Sequence, residues 1–240
     1  IRLLPRENPF THLGNLGFVP ETMNAYKAWL EQPQGMIILT GPTGSGKTST
    51  LYTSLQNVAK EHVNVVTVED PVEYVLPGIT QTQVHEAAGM TFAAGMRAIL
   101  RQDPDIIMVG EVRDSETAET AVRAALTGHL VFTTLHTNDA LGAIPRLKDL
   151  GIDPGLLSDA LLGVVAQRLV RRVCPHCSEP YTPTETDLKV LGLGRDIRTD
   201  TWRKGRGCSM CFNSGFLGRE AVVELIDVDD RIRDIIYEGT

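Results

Sequence analysis

The sequence is poor in cysteine and in aromatic residues, and it lacks any long apolar run. Its 240 residues include 4 cysteines, too few for a disulfide scaffold in a chain of this length. No apolar stretch approaches the roughly 20 residues needed to span a bilayer, and no charged-then-apolar signal segment opens the chain. We therefore expect a soluble, cytoplasmic protein.

Positive charge is also scarce. Lys and Arg number 23 against 30 Asp and Glu, which gives a net charge of −7, and aromatic residues make up 5%. This balance argues against broad nucleic-acid binding, although a local basic patch remains compatible with it. The first residue is Ile1 rather than Met, so we expect a piece of a longer protein, with residues 1–20 as a linker from an upstream domain.

The sequence does contain an alternation of short apolar strands and helical segments, which predicts an α/β fold with a parallel sheet covered on both faces. The predicted strands cover residues 36–40, 63–68, 106–109 and 129–135. The predicted helices cover residues 20–30, 47–60, 91–101, 115–126, 139–150 and 154–169. Either Asp114 or Ser115 is expected to cap the fourth of these helices. A strand at 221–226 and a final helix close the chain.

A phosphate-binding loop lies between the first strand and the second helix. It matches G-x-x-x-x-G-K-[ST] and consists of Gly41, Pro42, Thr43, Gly44, Ser45, Gly46, Lys47 and Thr48. The glycines allow backbone N–H groups to surround phosphate oxygens, and the helix N-terminus favours the anion. Lys47 is expected to reach the β- and γ-phosphates, and Thr48 to offer its hydroxyl to Mg²⁺. Nucleotide binding is the prediction.

Two acidic residues near strand ends are candidates for the hydrolytic chemistry. Glu111 follows the strand at 106–109, and Gly110 stands where many P-loop proteins have an aspartate that ligates Mg²⁺. Glu73 follows the strand at 63–68 and is the first choice for polarising water, with Glu111 as the competitor. A solvated loop carboxylate is the alternative interpretation for each.

Further candidates are a histidine and three arginines. His136 ends the last core strand and is a candidate sensor of the γ-phosphate, with a structural hydrogen-bonding role as the alternative. Arg97 and Arg101 are four residues apart on one predicted helix and should share a face, and Arg113 follows Glu111. Arginine suits phosphate, but an isolated arginine more often forms a surface salt bridge.

The four cysteines form two C-x₂-C pairs, Cys174 with Cys177 and Cys208 with Cys211. Four thiolates with no open position predict structural Zn²⁺, and a dithiol redox role is the weaker alternative. His176 lies inside the first pair and is expected to be exposed. A nearby arginine cluster suits an acidic partner or anionic headgroups, or else marks a solvated helix end; it consists of Arg168, Arg171 and Arg172.

These motifs together resemble the hexameric ATPases that power type II secretion and type IV pilus assembly. The resemblance covers most of the chain and rests on an ordered set of segments, namely 41–48, Val-Glu-Asp-Pro-Val-Glu-Tyr at 68–74, Arg-Gln-Asp-Pro-Asp at 101–105, Gly-Glu-Val-Arg-Asp at 110–114, Gly-His-Leu-Val-Phe at 128–132, Thr-Leu-His-Thr-Asn at 134–138 and Gln-Arg-Leu-Val-Arg-Arg at 167–172. The segment at 215–220 is a looser version of the family's closing motif.

The resemblance implies a RecA-like P-loop NTPase core, a small zinc-binding subdomain and a C-terminal strand and helix. The corresponding ranges are 21–169 for the core, 170–216 for the zinc subdomain and 217–240 for the tail. By resemblance, Glu73 matches the proposed catalytic glutamate and Glu111 the Walker B glutamate. The arginines that match residues acting at subunit boundaries are Arg97, Arg101 and Arg113.

For function, the resemblance implies Mg²⁺-dependent ATP hydrolysis by a homohexamer on the cytoplasmic face of the inner membrane. Its partner would be a membrane platform protein, which would provide its peripheral contact with the membrane, and no specific nucleic acid is expected. The cysteine subdomain favours pilus assembly or secretion over retraction. The alternatives are a DNA-transfer or DNA-uptake motor and a nucleotide-gated binding module that does not hydrolyse ATP.

Overall fold

In the computed structural model, residues 12–193 and 201–238 are described, and they form two compact units. The first unit takes in Ile1–Arg168 and Ala221–Thr240, and the second takes in Leu169–Glu220. Most of the opening segment at 1–20 lies outside the described residues, but Leu13 and Leu16 are buried in the same cluster as the first helix. No helix in the described ranges has the length and apolar character to span a bilayer.

The helices and strands alternate through the first unit and become short in the second. The elements in chain order are α1 (Pro20–Leu30), β1 (Gly35–Thr40), α2 (Lys47–Val58), β2 (Val65–Glu69), β3 (Thr80–Gln83), α3 (Phe92–Ile99), β4 (Ile106–Val109), α4 (Ser115–Leu126), β5 (Leu130–Leu135), α5 (Ala143–Asp149), α6 (Pro154–Ala160), β6 (Leu161–Val173), β7 (Ser178–Pro180), α7 (Glu185–Val190), β8 (Arg203–Gly205), β9 (Phe216–Asp227) and α8 (Asp230–Glu238).

One seven-stranded sheet organises the first unit, with the order β3-β2-β4-β5-β1-β6-β9. The pairs β2–β3, β2–β4, β4–β5, β1–β5 and β1–β6 are parallel. The carboxyl ends of β2, β4, β5 and β1 therefore lie along one edge, where parallel α/β sheets bind their ligands. The predicted parallel α/β sheet is confirmed.

The four central strands β1, β2, β4 and β5 are buried at every residue, and since alternate residues point to opposite sides, both faces are covered there. On β1, Ile37 and Leu39 pack with α1 and α2, whereas Met36 and Ile38 pack in the cluster that includes α3, α4 and α6. Asp114 caps α4, with its carboxylate accepting the N–H of Thr117 at 2.8 Å. This continuous burial explains why β1, β4 and β5 are apolar on both faces.

The predicted helix at 154–169 is wrong in its second half. Helix α6 ends at Ala160, and β6 begins at Leu161 and pairs with β1. Val164 and Val165 are fully buried in the sheet, where β-branched side chains pack well. Sheet pairing therefore outweighs the helical spacing of the apolar residues, and the arginines at 168, 171 and 172 lie on a strand rather than at a helix end.

Smaller differences concern element ends. Helix α5 starts at Ala143 rather than at 139, because Asp139 accepts the N–H of Gly142 at 2.7 Å and forms a turn there. Helix α3 ends at Ile99, and Leu100–Gln102 form a 3₁₀ turn. The strand β3 was not predicted, because its Thr-Gln-Thr-Gln sequence has no apolar residue.

Candidate active site

The phosphate loop connects β1 to α2 at the carboxyl edge of the sheet. Gly44 and Gly46 have φ values of 78° and 88°, a left-handed conformation that glycine adopts without strain. Helix α2 begins directly afterwards at Lys47, so its first N–H groups and its positive dipole end adjoin the loop. The local geometry is that of an anion site.

Lys47 lies folded over this loop. Its Nζ donates to the carbonyl oxygens of Gly41 at 2.7 Å and Pro42 at 3.1 Å, and its side chain is largely buried. Burial lowers the pKa of Lys47, and the negative charge of Glu111 opposes that shift. An ammonium group held on two carbonyls is ready to exchange them for phosphate oxygens.

The hydroxyl of Ser45, within the same loop, is buried and has no hydrogen-bond partner in the described chain. Buried polar groups normally have partners, so an orphaned hydroxyl in a phosphate loop fits a ligand that supplies one. The loop residues therefore fit a nucleotide phosphate.

Gln167 on β6 braces the loop from the side, and the sequence analysis did not single it out. Its amide donates to the carbonyl of Ser45 at 2.9 Å, and its carbonyl oxygen accepts the hydroxyl proton of Thr50 at 2.8 Å. Its side chain is almost fully buried. Gln167 is the first residue of the segment at 167–172, but a helix over 154–169 gives no reason to place it beside the loop.

Glu111 lies at the centre of a cluster of charged residues at the same edge. One carboxylate oxygen accepts from Arg113 Nη2 at 2.7 Å, and the other is 3.5 Å from His136 Nε2. The hydrogen bond from Arg113 lowers the pKa of the Glu111 carboxyl, and the charges of His136 and Lys47 act in the same direction, although burial opposes them. Asp70, at the end of β2, lies 4.0 Å from Arg113. The structure therefore brings Glu111, Arg113 and His136 together.

Gly110 lies immediately before Glu111 and packs closely against the end of β2. A Cβ there would lie 3.3 Å from the Val68 carbonyl oxygen and 3.4 Å from the Glu69 Cα. A larger side chain at this position would therefore require a small shift of the neighbouring backbone.

Glu73 approaches the phosphate loop from the segment after β2. Its Oε1 accepts a hydrogen bond from the Thr48 hydroxyl at 3.3 Å. A hydroxyl and a carboxylate oxygen at this spacing are the hard oxygen ligands that Mg²⁺ prefers. Thr48 and its carboxylate neighbour therefore fit a metal-assisted phosphate site.

The other two arginines make different contacts. Arg97 forms an exposed ion pair with Glu116 of α4. Arg101 is exposed in the 3₁₀ turn after α3, so the expectation that both share a face of one helix is wrong. The helix ends two residues before Arg101, and the i, i+4 argument does not apply.

The second unit contains the four cysteines, all free thiols whose sulfur atoms lie within 4.8 Å of one another. The Sγ–Sγ distances are 3.9 Å for Cys174–Cys208, 3.9 Å for Cys177–Cys211 and 3.7 Å for Cys208–Cys211. Four ligands at about 2.3 Å around a tetrahedral Zn²⁺ lie about 3.8 Å apart. The set therefore fits zinc, and the neighbouring His176 is exposed.

Comparison with known proteins places the whole chain in one family. The family described as "Type II/IV secretion system protein" matches residues 1–240. The chain belongs to that family. It is 51% identical, over 240 residues, to the type IV pilus assembly ATPase PilB of Thermus thermophilus. It is also 51% identical, over 237 residues, to type II secretion system protein E of Pseudomonas aeruginosa.

These alignments cover 100% and 99% of this chain, but 27% and 47% of the two relatives, so the chain spans less than half of their length. Among solved structures, the pilus retraction motor PilT with bound ADP superposes with a TM-score of 0.73 at 32% identity, covering 99% of this chain and 58% of that one. The P-loop ATPase fold expected from the sequence is thus confirmed for this secretion-family chain.

Proposed function

We propose that this chain is the ATP-hydrolysing part of a motor that drives type IV pilus assembly or type II secretion. The observation that carries the proposal is the hydrogen bond of 3.3 Å from the hydroxyl of Thr48, at the end of the phosphate loop, to the Glu73 carboxylate. The nucleotide loop and the candidate water-orienting group therefore adjoin one another. Relatives of both kinds, at 51% identity, support the two alternatives equally.

In this proposal the loop at 41–48 binds the phosphates of ATP. Lys47 exchanges its carbonyl contacts for β- and γ-phosphate oxygens, and the Ser45 hydroxyl gains a partner. Thr48, with Glu73 or Glu111 acting through water, would hold Mg²⁺, which neutralises charge on the phosphates when bound. The loop thereby positions the γ-phosphate at the carboxyl edge of the sheet.

Glu73 then orients a water molecule towards the γ-phosphorus. The water oxygen forms the new bond to phosphorus, one water proton passes to the Glu73 carboxylate, the bond to the bridging oxygen breaks, and ADP and inorganic phosphate leave. The hydrogen bond from Arg113 lowers the pKa of the Glu111 carboxyl and occupies one of its oxygens, so Glu111 is better suited to electrostatic support than to accepting a proton. His136, in contact with Glu111, is placed to respond to the loss of the γ-phosphate.

The assembly and its partners are also part of the proposal. A homohexamer would use the exposed Arg97 and Arg101, with Arg113, at subunit boundaries, as the family resemblance implies. Its partner would be a membrane platform protein, reached on the cytoplasmic side. The four-cysteine cluster supports assembly or secretion over retraction, with Zn²⁺ as its structural ion.

The test is steady-state ATP hydrolysis by the full-length protein carrying Glu73→Gln or Glu111→Gln. We expect Glu73→Gln to lower kcat by about 10²-fold or more with little change in nucleotide affinity, because the amide still packs but no longer accepts a proton. Glu119→Gln is the matched control, since Glu119 forms an exposed helix ion pair with Arg123 and should retain activity.

Normal turnover in Glu73→Gln removes Glu73 from the mechanism, and normal turnover in both variants removes both glutamates. A full-length hexamer that binds ATP and hydrolyses none would favour the nucleotide-gated binding module instead. In cells, the Glu73→Gln protein should fail to restore piliation or secretion to a strain lacking the gene.

A further inference from the structure

The segment that carries Glu73 runs from Asp70 to Ile79 without a helix or strand, yet side chains hold its backbone at several points. Gln83 accepts the N–H of Val72 at 3.2 Å. Gln81 accepts the N–H of Leu76 at 2.7 Å and donates to the carbonyl of Tyr74 at 2.9 Å. Because backbone groups that lack a ladder need other partners, these contacts replace secondary structure as the source of order here.

Tyr52 holds the position of Glu73 itself. The phenol oxygen of Tyr52 accepts the backbone N–H of Glu73 at 3.1 Å, and its own proton is donated to the Glu69 carboxyl group. A phenol has one proton, so donation to Glu69 leaves its lone pairs for the N–H of Glu73. The tyrosine is fully buried, and burial together with Glu69 raises the pKa of its phenol, which keeps that proton in place.

Tyr52 and Thr48 are one turn apart on α2 and therefore lie on the same face of the helix. Tyr52 contacts the backbone of Glu73, and Thr48 contacts its carboxylate. Helix α2, whose N-terminus completes the phosphate loop, thus contacts Glu73 at its backbone N–H and at its side-chain carboxylate. This arrangement relates the position of the carboxylate directly to the position of the bound phosphates.

Glu69 anchors Tyr52 and makes no direct approach to the loop. It is 3% exposed, and besides Tyr52 it accepts from the Thr67 hydroxyl at 2.6 Å and the Gln81 amide at 2.9 Å. Both of its oxygens are therefore engaged by neutral donors at the end of β2. Gln81 contacts both Glu69 and the segment at 70–79. It therefore links the Glu69–Tyr52 hydrogen bond to the backbone that carries Glu73.

We propose that Tyr52, supported by Glu69 and Gln81, is a positioning residue that fixes the Glu73 carboxylate for attack on the γ-phosphate. The inference rests on the proposed function, in which Glu73 orients the water. Its physical basis is that a displacement of about 1 Å in a reacting group costs up to about 10²-fold in rate, whereas ground-state binding of the nucleotide by the loop at 41–48 is unaffected.

The first experiment compares Tyr52→Phe with Tyr26→Phe in the full-length protein. Tyr26 is also fully buried, and its hydroxyl is hydrogen-bonded to Ser54 at 2.7 Å, so each variant loses one buried phenolic hydroxyl. We expect Tyr52→Phe to lower kcat by about tenfold or more while KM and the Kd for ATP stay within about twofold. Tyr26→Phe should leave kcat unchanged.

The second experiment places Tyr52→Phe in the Glu73→Gln background. If Tyr52 acts through Glu73, the double variant should hydrolyse ATP no more slowly than Glu73→Gln alone, within about twofold, because the effects of coupled residues do not add. Additive losses, or wild-type kcat in Tyr52→Phe, would overturn the inference. Wild-type kcat in Glu73→Gln would instead overturn the proposed role of Glu73 itself, so the two failures are distinguishable.

Should Tyr52→Phe fail to fold, Gln81→Met gives the same test from a half-buried position. It removes the contacts to Leu76, Tyr74 and Glu69 and leaves the buried phenol of Tyr52 in place. The expected result is again a fall in kcat without a matching change in nucleotide Kd. An unchanged kcat for a folded Gln81→Met protein counts against the network.

Discussion

Gln167 carries two buried hydrogen bonds that hold the phosphate loop to the neighbouring strand and helix. Its side-chain N–H donates to the Ser45 carbonyl, and its side-chain oxygen accepts the Thr50 hydroxyl proton. Ser45 precedes the start of α2 and Thr50 follows it. The Ser45 backbone is thus fixed by β6, and the orphaned Ser45 hydroxyl remains for a ligand. At the scale of single residues, the shape of the nucleotide site depends on this amide as well as on the glycines.

Replacement of this amide should therefore affect both stability and nucleotide binding. We expect Gln167→Leu to lower the free energy of unfolding by about 1–3 kcal/mol, because two buried polar groups lose their partner. ATP affinity should fall as well. Urea unfolding and titration with a fluorescent ATP analogue measure the two effects.

Gln32→Leu is the matched control, since Gln32 is exposed and its amide donates to the Ala28 carbonyl, four residues earlier, at 3.2 Å. Equal behaviour of the Gln167 and Gln32 variants in both assays would contradict the role assigned to Gln167.

At the scale of elements, the close approach of α1 to β6 depends on Gly163. A Cβ at this position would overlap the indole of Trp29 and lie 2.7 Å from the Ile226 carbonyl. Trp29 is in turn fixed by donation from Nε1 to Asp227 at 2.7 Å. The glycine therefore sets the distance at which the helix covers this side of the sheet.

Gly163→Ala should lower the free energy of unfolding by about 1–3 kcal/mol or more, because neither the indole nor a backbone carbonyl can move away cheaply. The comparison variant is Gly14→Ala, where a Cβ meets nothing within 4 Å. Thermal unfolding of the two variants measures the difference. A stable Gly163→Ala protein would show that α1 shifts freely on the sheet.

Elements that are defined by their own residues can be predicted from the sequence. Elements that form only by pairing with segments far away in the chain cannot. Strand β4 and helix α4 were predicted with correct ends, since apolar runs and the Asp114 cap define them. Strand β6 was missed because pairing with the distant strands β1 and β9 makes it a strand, and β3 because its residues carry no apolar signal.

The residues of the candidate site also fall into those that the sequence predicts and those that only the structure identifies. The phosphate loop, Glu111 and the cysteine pairs were visible as motifs, and the structure brings Glu111 to Arg113 and the four sulfurs to one point. Tyr52 lies in none of the quoted motifs, and Gln167 begins the segment at 167–172 without any sign of its contact with the loop, since the importance of both comes from contacts across the sheet and between segments. Such contacts require the tertiary structure.

At the scale of the whole molecule, Zn²⁺ bound at the cysteine cluster would give the second unit a metal-dependent stability of its own. A unit of this size has a small apolar core, so ligand binding to four thiolates should contribute much of its folding free energy. We expect metal analysis of the purified protein to return about one Zn²⁺ per chain, as one tetrahedral thiolate site requires.

Chelation, or Cys177→Ser, should release the metal and make the segment 169–220 sensitive to protease. His176→Ala should retain the metal, because that side chain is exposed and the thiolates are sufficient ligands. Protein free of zinc, or loss of zinc in His176→Ala, would contradict the all-thiolate site.

The strand order also bears on how the chain reaches this state during folding. Strand β1 precedes β5 and β6 in the chain, yet it lies between them in the sheet, so Thr40 is paired only once Leu135 and Ala166 are in place. Pairings of such long sequence separation form late and slowly. The phosphate loop is thus held by contacts such as Ser45 with Gln167, which are 122 positions apart in the chain, so nucleotide binding would report that these distant segments have come together.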